Sequence, residues 1–174
     1  SEYDPSVPSP VVLSSGARRL GPDDWAQDVA YAQERACDDR FVGRLSAWHG
    51  LADQGDVEEC LAFDWMLRSE WGWGIEESGA AVIPHWAGGG GGPIGCKIRS
   101  PDGRRWSKEG SRYEHLYGCW LPPRHREAVL TEGETDAVWL ARAVQREGAG
   151  VDVLALPSGA GQPPSAVQTD RLKG

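Results

Sequence analysis

The segment AVLTEGETDAVWLARAVQREGAGVDVLALP, residues 128–157, has the pattern of a strand, a helix and a second strand. Its first three residues are typical of a short buried strand, and apolar residues then recur at helical spacing until Gly148, which predicts the end of the helix. The run at 151–157 predicts the second strand. Because only short links join these elements, we expect a right-handed βαβ unit with parallel strands.

Three acidic residues, Glu132, Glu134 and Asp136, crowd the junction between the first strand and the helix. One interpretation is structural, since Thr131-x-x-Glu134 matches a capping box and the helix dipole stabilises acids at this end. The other is functional: Gly133 allows a tight turn that leaves Glu132 and Asp136 facing one cavity, where carboxylates bind Mg²⁺ or transfer protons. Open parallel sheets place their chemistry at this end of their strands. Both interpretations stay open, because each can hold for different residues.

A basic hairpin is predicted upstream, in PIGCKIRSPDGRRW at 93–106, with its turn at residues 101–103. Alternation predicts an apolar face and a basic face: Ile94, Cys96 and Ile98 against Lys97 and Arg99. Residues 94–112 include six basic and two acidic residues, a net charge of +4 in a protein whose net charge is −8. Such a surface favours a polyanion, and a merely solvated sheet face is the alternative.

Five consecutive glycines, Gly88–Gly92, follow a short apolar run at 80–84 that predicts a strand. A phosphate-binding P-loop requires Lys and then Ser or Thr directly after its last glycine, whereas Pro93 and Ile94 follow here. We therefore interpret the glycines as a flexible connection between two strands.

The N-terminal third is predicted to be helical after an irregular arm or linker at residues 1–21. Pro22 and two aspartates suit a helix N-terminus, and the apolar spacing predicts a helix to about Arg40 through Trp25, Val29, Ala32 and Ala36. A second helix is expected after the break at 50–55 and before Gly72. Its predicted apolar side consists of Val57, Leu61 and Trp65.

Composition excludes several classes of protein. With 40% hydrophobic and 25% charged residues among 174, the chain is neither collagen, coiled coil nor wholly disordered. No apolar run reaches the roughly 18 residues of a membrane helix, and no signal-peptide pattern opens the chain, so we expect a soluble intracellular protein. The nine tryptophans are expected mainly to fill the core.

Zinc is not expected in this segment. The four cysteines have no C-x-x-C pair, and no histidine lies three or four residues from another; the residues are Cys37, Cys60, Cys96, Cys119, His49, His85, His115 and His125. We expect reduced, mostly buried thiols, and histidines that are exposed or satisfied in the core.

The run VLTEGETDA at 129–137, followed by a helix and by VDVLALPSG at 151–159, resembles the first half of a Toprim domain. This Mg²⁺-binding fold is shared by primases, type IA and II topoisomerases and some nucleases, and Glu132, Gly133 and Asp136 match its E-G-x-x-D core. IPHW, GPIGCKIRSPDGRRW and SKEGSRYEHLYG, between residues 83 and 118, resemble the N-terminal part of a phage primase or primase-helicase polymerase core. The resemblance covers residues 80–160 well and 56–79 loosely.

The resemblance implies an α/β fold of the α+β type. An irregular arm (1–21), a helical region (22–79) and a small basic β-sheet subdomain (80–126) would precede a partial Toprim domain (127–174), which begins a Rossmann-like parallel sheet with one βαβ unit. The implied activity is that of a DNA primase, which joins ribonucleoside triphosphates into short RNA primers on a single-stranded DNA template. Mg²⁺ or Mn²⁺ is the implied cofactor, a replicative helicase, fused or separate, is the implied partner, and the bacterial or phage-infected host cytoplasm is the implied location, away from membranes.

Residue roles follow from the matched positions. Glu132 would be the catalytic group and a metal ligand, Asp136 a second metal ligand, and Glu134 a variable neighbour or a helix cap. The residues implied to contact nucleic acid or nucleotide are Lys97, Arg99, Arg104, Arg105, Lys108, Arg112 and Tyr113.

Two departures from the family pattern qualify these roles. Toprim domains carry Asp-x-Asp on a later strand, and no such motif follows Leu130; the zinc-binding module typical of primases is also missing. We therefore expect a chain truncated within the Toprim domain and inactive by itself. The alternatives are a nonpolymerase Toprim protein, such as a metal-dependent nuclease, and a noncatalytic nucleic-acid-binding module whose acids only cap the helix.

Overall fold

A computed structural model describes residues 22–38, 44–47, 56–88, 91–159, 161, 163–170 and 172. Within these residues the chain forms a mixed α/β fold with five helices and six strands. In chain order the elements are α1 (Pro22–Ala36), α2 (Arg44–Ala47), α3 (Val57–Ser69), β1 (Gly74–Ile75), β2 (Ala81–Trp86), β3 (Pro93–Arg99), β4 (Arg105–Ser107), β5 (Ala128–Thr131), α4 (Glu134–Glu147), β6 (Asp152–Ala155) and α5 (Ala166–Asp170). The predicted arm at residues 1–21 lies outside the described residues.

The first sheet is an antiparallel meander in the order β1-β2-β3-β4. The predicted basic hairpin is confirmed, since β3 pairs with β4 and brings Lys97 opposite Ser107. The glycine run connects β2 to β3, as predicted, because these strands pair antiparallel on either side of it. Their register shifts between His85 and Trp86, and such irregularities re-aim the side chains beside them.

Pro84 lies within β2, where a proline removes one backbone donor from the ladder. The sheet tolerates it because β1 pairs only with Ala81 and Val82. On the β1 side, β2 is therefore an edge strand at Pro84, and edge positions are where strands accept proline.

The predicted βαβ unit is confirmed. β5 and β6 pair in parallel from Ala128–Asp152 to Thr131–Ala155, and α4 connects them. Gly148 ends α4 in the left-handed conformation, with φ 64°, and its N–H donates to the carbonyl of Val144. The expected burial of β5 is wrong: Val129 and Leu130 are each 39% exposed, because β5 pairs on one edge only within the described residues.

The helices differ from their predictions in two respects. α1 ends at Ala36, about a turn before Arg40, although Val29, Ala32 and Ala36 are buried as expected. The predicted apolar side of α3 is wrong, since Trp65 is 57% exposed while the neighbouring Phe63 and Met66 are buried. α3 carries apolar residues around its circumference, so its packing partners determine which of them are buried.

One hydrophobic core joins the two sheets. It includes Phe63 from α3, Trp71 and Trp73 from the following loop, Val138 from α4 and Val153 from β6. A second cluster places Val29 and Ala32 of α1 against the first sheet. Cys96 and Cys119 are buried and Cys37 is exposed, and all four cysteines are free thiols. Among the described residues, no helix is long and apolar enough to cross a membrane.

The close approach of the chain to Gly95 gives a test of the packing around β3. A Cβ at Gly95 would lie 2.6 Å from the carbonyl oxygen of Arg112 and 2.8 Å from Cε1 of Tyr113. We expect Gly95→Ala to lower the free energy of unfolding by about 1–3 kcal/mol, because the chain at Arg112 and Tyr113 must move to make room for the new methyl group. Urea unfolding measures the effect. Gly92→Ala is the control, since nothing lies within 4 Å of a Cβ there, and equal losses in both variants would contradict the tight packing.

Candidate functional site

Lys97 joins the two sheets at the C-terminal end of the parallel strands. Its Nζ donates to Glu134 Oε1 at 2.5 Å, on the first turn of α4, and also to the carbonyl oxygen of Pro157 beyond β6. The same ammonium lies 5.0 Å from the ring centroid of Tyr113. A side chain of the basic hairpin is thus held at both loops of the βαβ unit.

A buried histidine completes this cluster. His85, on β2, is 2% exposed, and its Nε2 lies 3.2 Å from Glu134 Oε1 without the geometry of a hydrogen bond. The rings of Tyr113 and Tyr117 flank the imidazole, each with its centroid 4.8 Å away. Trp73 Nε1 in turn donates to the Tyr117 hydroxyl at 2.6 Å. We call Lys97, Glu134, His85 and Tyr113 the junction cluster.

Burial and charge oppose each other in the junction cluster. Burial by itself raises the pKa of Glu134, but the polar contact with His85 and the charge and hydrogen bond of Lys97 outweigh it and lower the pKa below its usual value. Burial lowers the pKa of His85, in spite of the nearby carboxylate, so the imidazole is neutral near pH 7. The cluster therefore contains one ion pair, between Lys97 and Glu134, beside a neutral imidazole.

The other two acids of the motif lie beside this cluster and face solvent. Glu132 and Asp136 are exposed. A Cβ on Gly159 would lie 4.0 Å from Glu132 Oε1, and a Cβ on Gly133 would lie 4.0 Å from Asp136 Oδ2. Both carboxylates therefore border glycines at the C-terminal end of the strands, the position that the βαβ pattern predicts.

The predicted capping box is wrong. The N-cap of α4 is Gly133, which makes no side-chain cap hydrogen bond. The hydroxyl of Thr131 donates instead to the carbonyls of Gly133 and Leu154, while Glu134 turns to Lys97. A capping box thus does not explain the three acids, but Glu134 and Asp136 lie in the first turn of α4, where the helix dipole stabilises them, and Glu134 also forms a buried ion pair.

The chemistry of Glu132 and Asp136 fits a hard divalent cation in part. Carboxylate oxygens suit Mg²⁺, which commonly takes one or two carboxylates and completes its shell with water and substrate phosphates. Among the described residues no group of three or more potential ligand side chains forms a metal site. These two carboxylates could therefore hold Mg²⁺ or Mn²⁺ only together with other donors.

The remaining basic candidates spread over the hairpin. Arg99 donates to the hydroxyl of Thr135 at 3.3 Å, next to the junction cluster. Arg104 pairs with Asp102 at 2.7 Å at the exposed turn, and Arg112 lies 3.4 Å from Glu114. Arg105 is exposed on β4.

Two candidates, Lys108 and Tyr113, are half-buried. Lys108 lies between Asp28 and Glu76, at 3.8 and 3.7 Å, on the side of α1. The hydroxyl of Tyr113 donates to the carbonyl of Cys96 at 3.1 Å. The structure thus brings Lys97, Arg99 and Tyr113 to the acidic junction and leaves Arg104, Arg105, Lys108 and Arg112 outside it.

The partnership of His85 with Glu134 was not predicted from the sequence. The histidine is expected only to be exposed or satisfied, and Glu134 to be a variable neighbour or a cap. The one available signal was the position of His85 within a short apolar strand, where a polar side chain needs a partner.

No family model matches the chain, and no curated protein matches it. One similar chain belongs to a solved structure of bacteriophage T7 lagging-strand DNA polymerase interacting with primase domains of two gp4 subunits bound to an RNA/DNA hybrid and dTTP. The identity is 21%, the TM-score is 0.44, and the match covers 60% of this chain and 43% of that chain. This chain therefore spans less than half the length of the chain it matches.

Because Glu134 is buried and Glu132 is exposed, unfolding measurements can test whether the Lys97–Glu134 pair stabilises the fold. We expect Glu134→Gln to lower the free energy of unfolding by about 2 kcal/mol, because it removes the buried charge that Lys97 pairs with. Glu132→Gln is the matched control and should change it by less than about 0.5 kcal/mol, because Glu132 is exposed. Urea unfolding at pH 7 measures both. Equal losses in the two variants would show that the Lys97–Glu134 pair does not stabilise the fold.

Proposed function

We propose that this chain is part of the polymerase core of a Toprim-type DNA primase, which synthesises RNA primers on single-stranded DNA. One observation carries the proposal. The basic hairpin contacts the acidic junction of the βαβ unit through hydrogen bonds of Lys97. The sequence predicts these two features separately, and nucleotidyl transfer requires both of them in one place. Their order and motifs are also those that resemble a primase core.

The proposed role of each residue follows from its charge. Lys97 and Arg99 would bind the phosphates of an incoming ribonucleotide or of the template strand, since ammonium and guanidinium groups are the usual phosphate ligands. Glu132 would accept a proton or hold a metal, and Asp136 would support it. Bound Mg²⁺ or Mn²⁺ would neutralise the charge that develops on the phosphoryl oxygens. Glu134 would act indirectly, by holding Lys97.

The partners of the proposed function are single-stranded DNA, ribonucleoside triphosphates and a replicative helicase. Nuclease chemistry at the same acids and noncatalytic binding of nucleic acid remain the competing functions, and the assay below separates them. The assay includes an extended chain, because the resemblance implies a later Asp-x-Asp that these residues do not carry after Leu130.

Primer synthesis tests the proposal. Template-dependent ribonucleotide incorporation is measured with Mg²⁺ or Mn²⁺ for this chain and for the chain extended through the next strands. We expect incorporation by the extended chain and a loss of at least about 100-fold in its Glu132→Gln variant. Glu147→Gln is the control, since this exposed acid lies at the other end of α4.

The outcomes discriminate the three functions. Cleavage of nucleic acid without primer synthesis would favour the nuclease. Binding of single strands without either activity would favour the noncatalytic module. An extended Glu132→Gln variant as active as the wild type would remove the assigned role of Glu132.

Binding to single-stranded DNA gives a second test. Each phosphate contact contributes about 0.7 to the slope of log affinity against log salt for single strands. The double variant Arg99→Gln/Arg105→Gln should therefore bind a labelled oligonucleotide more weakly and with a slope reduced by about 1.4, about 0.7 for each contact removed. Arg124→Gln/Arg126→Gln makes the same charge change at exposed residues that precede β5, and it should leave the slope unchanged. An equal loss in both double variants would indicate nonspecific attraction only.

A further inference from the structure

A buried imidazole nitrogen without a hydrogen bond lies beside the Lys97–Glu134 ion pair. Among the described residues no acceptor meets the angular requirement of a hydrogen bond to His85 Nε2, although Glu134 Oε1 is 3.2 Å away and the two groups interact electrostatically. Nearly all buried polar atoms in native proteins have a partner, so this exception needs an explanation. The side chains that surround the imidazole are Glu134 from α4, Lys97 from β3, and the tyrosine rings at 113 and 117.

We propose that His85 is a positioning residue that replaces Lys97 as the partner of Glu134 when a phosphate group binds Lys97. This inference rests on the proposed function, because it takes the phosphates of a nucleotide or template as the ligand. In the free protein Lys97 holds the carboxylate. In the bound state the imidazole N–H on Nε2 donates to Glu134 Oε1.

The exchange follows from the cost of a buried charge. The side chain of Glu134 is only 12% exposed, and a buried carboxylate that loses its partner is strongly destabilised. A phosphate that draws Lys97 away must overcome this cost unless another donor is at hand. His85 Nε2 is already 3.2 Å from the same oxygen, so the exchange requires realignment of the ring and no large displacement. It requires the neutral tautomer with its proton on Nε2, which donates to the carboxylate without any proton transfer.

Lys97 is able to leave. Its side chain is 25% exposed and has the flexible stem of a lysine, whereas the His85 side chain is 3% exposed. The other contacts of Lys97, the Pro157 carbonyl and the Tyr113 ring, are neutral. Among the described residues, Glu134 is therefore the charged group that loses a partner when Lys97 leaves.

A double-mutant cycle in unfolding tests the exchange without any ligand. The variants are His85→Phe, Lys97→Met and their combination, made in the full chain and measured by the urea midpoint. We expect His85→Phe to lower the midpoint at least about twice as much in the Lys97→Met background as in the wild type, because only there does Glu134 depend on His85. Additive shifts would overturn the proposal and reduce His85 to a packing residue.

Calorimetry with inorganic tripolyphosphate tests whether Lys97 and His85 contribute to phosphate binding. We expect Lys97→Met to abolish binding and His85→Phe to weaken it about tenfold, which corresponds to about 1.4 kcal/mol. His85→Gln, which keeps an N–H donor, should bind within about threefold of the wild type. If His85→Gln binds as weakly as His85→Phe, packing rather than donation explains the loss and the proposal fails.

A third readout separates this inference from the proposed function. In the wild type, tripolyphosphate should produce a downfield imidazole N–H resonance that is absent in His85→Phe. Appearance of this resonance, together with a failure of the extended chain to make primers, would support the exchange and contradict the primase function. Unchanged imidazole resonances on tripolyphosphate binding would overturn the exchange whatever the enzyme activity.

Discussion

The contact between the basic hairpin and the βαβ unit centres on one ammonium group, that of Lys97. Apolar contacts bring α3, α4 and both sheets into one core, but such contacts are non-directional and do not fix a strand end to a helix N-terminus. Lys97 does so, because its donors reach Glu134 on α4 and the Pro157 carbonyl beyond β6. The buried carboxylate makes the contact specific, since any displacement of β3 would leave a charge unpaired.

The same constraint explains why three acids occur within five residues. Successive helical residues point about 100° apart, so Glu134 can face the first sheet while Asp136 faces solvent. Glu132 lies before the helix, where Gly133 continues the chain in an extended conformation. One acid thus anchors the turn, and the two others stay accessible at the ends of the parallel strands. The motif therefore combines one structural acid, Glu134, with two solvent-accessible acids, each two residues away from it.

Much of this fold follows from local pattern, and most of the site does not. Alternation and turn residues predict the hairpin at 93–106, and Gly148 predicts the end of α4, because both signals act over a few residues. The contact of His85 with Glu134 spans 49 positions of sequence, and nothing in either local pattern encodes it. The prediction of the buried side of α3 failed for the same reason. Several faces of that helix are apolar, and only tertiary packing selects which of them is buried.

The exposed and buried acids respond differently to loss of charge. Glu132 and Asp136 are exposed, so neutralising either leaves no buried partner behind. Neutralising Glu134 removes the carboxylate that Lys97 pairs with and leaves the ammonium a carbonyl and an aromatic ring. Of the three acids, the stability of the fold therefore restricts substitutions of Glu134 alone, while Glu132 and Asp136 remain free to be selected for chemistry.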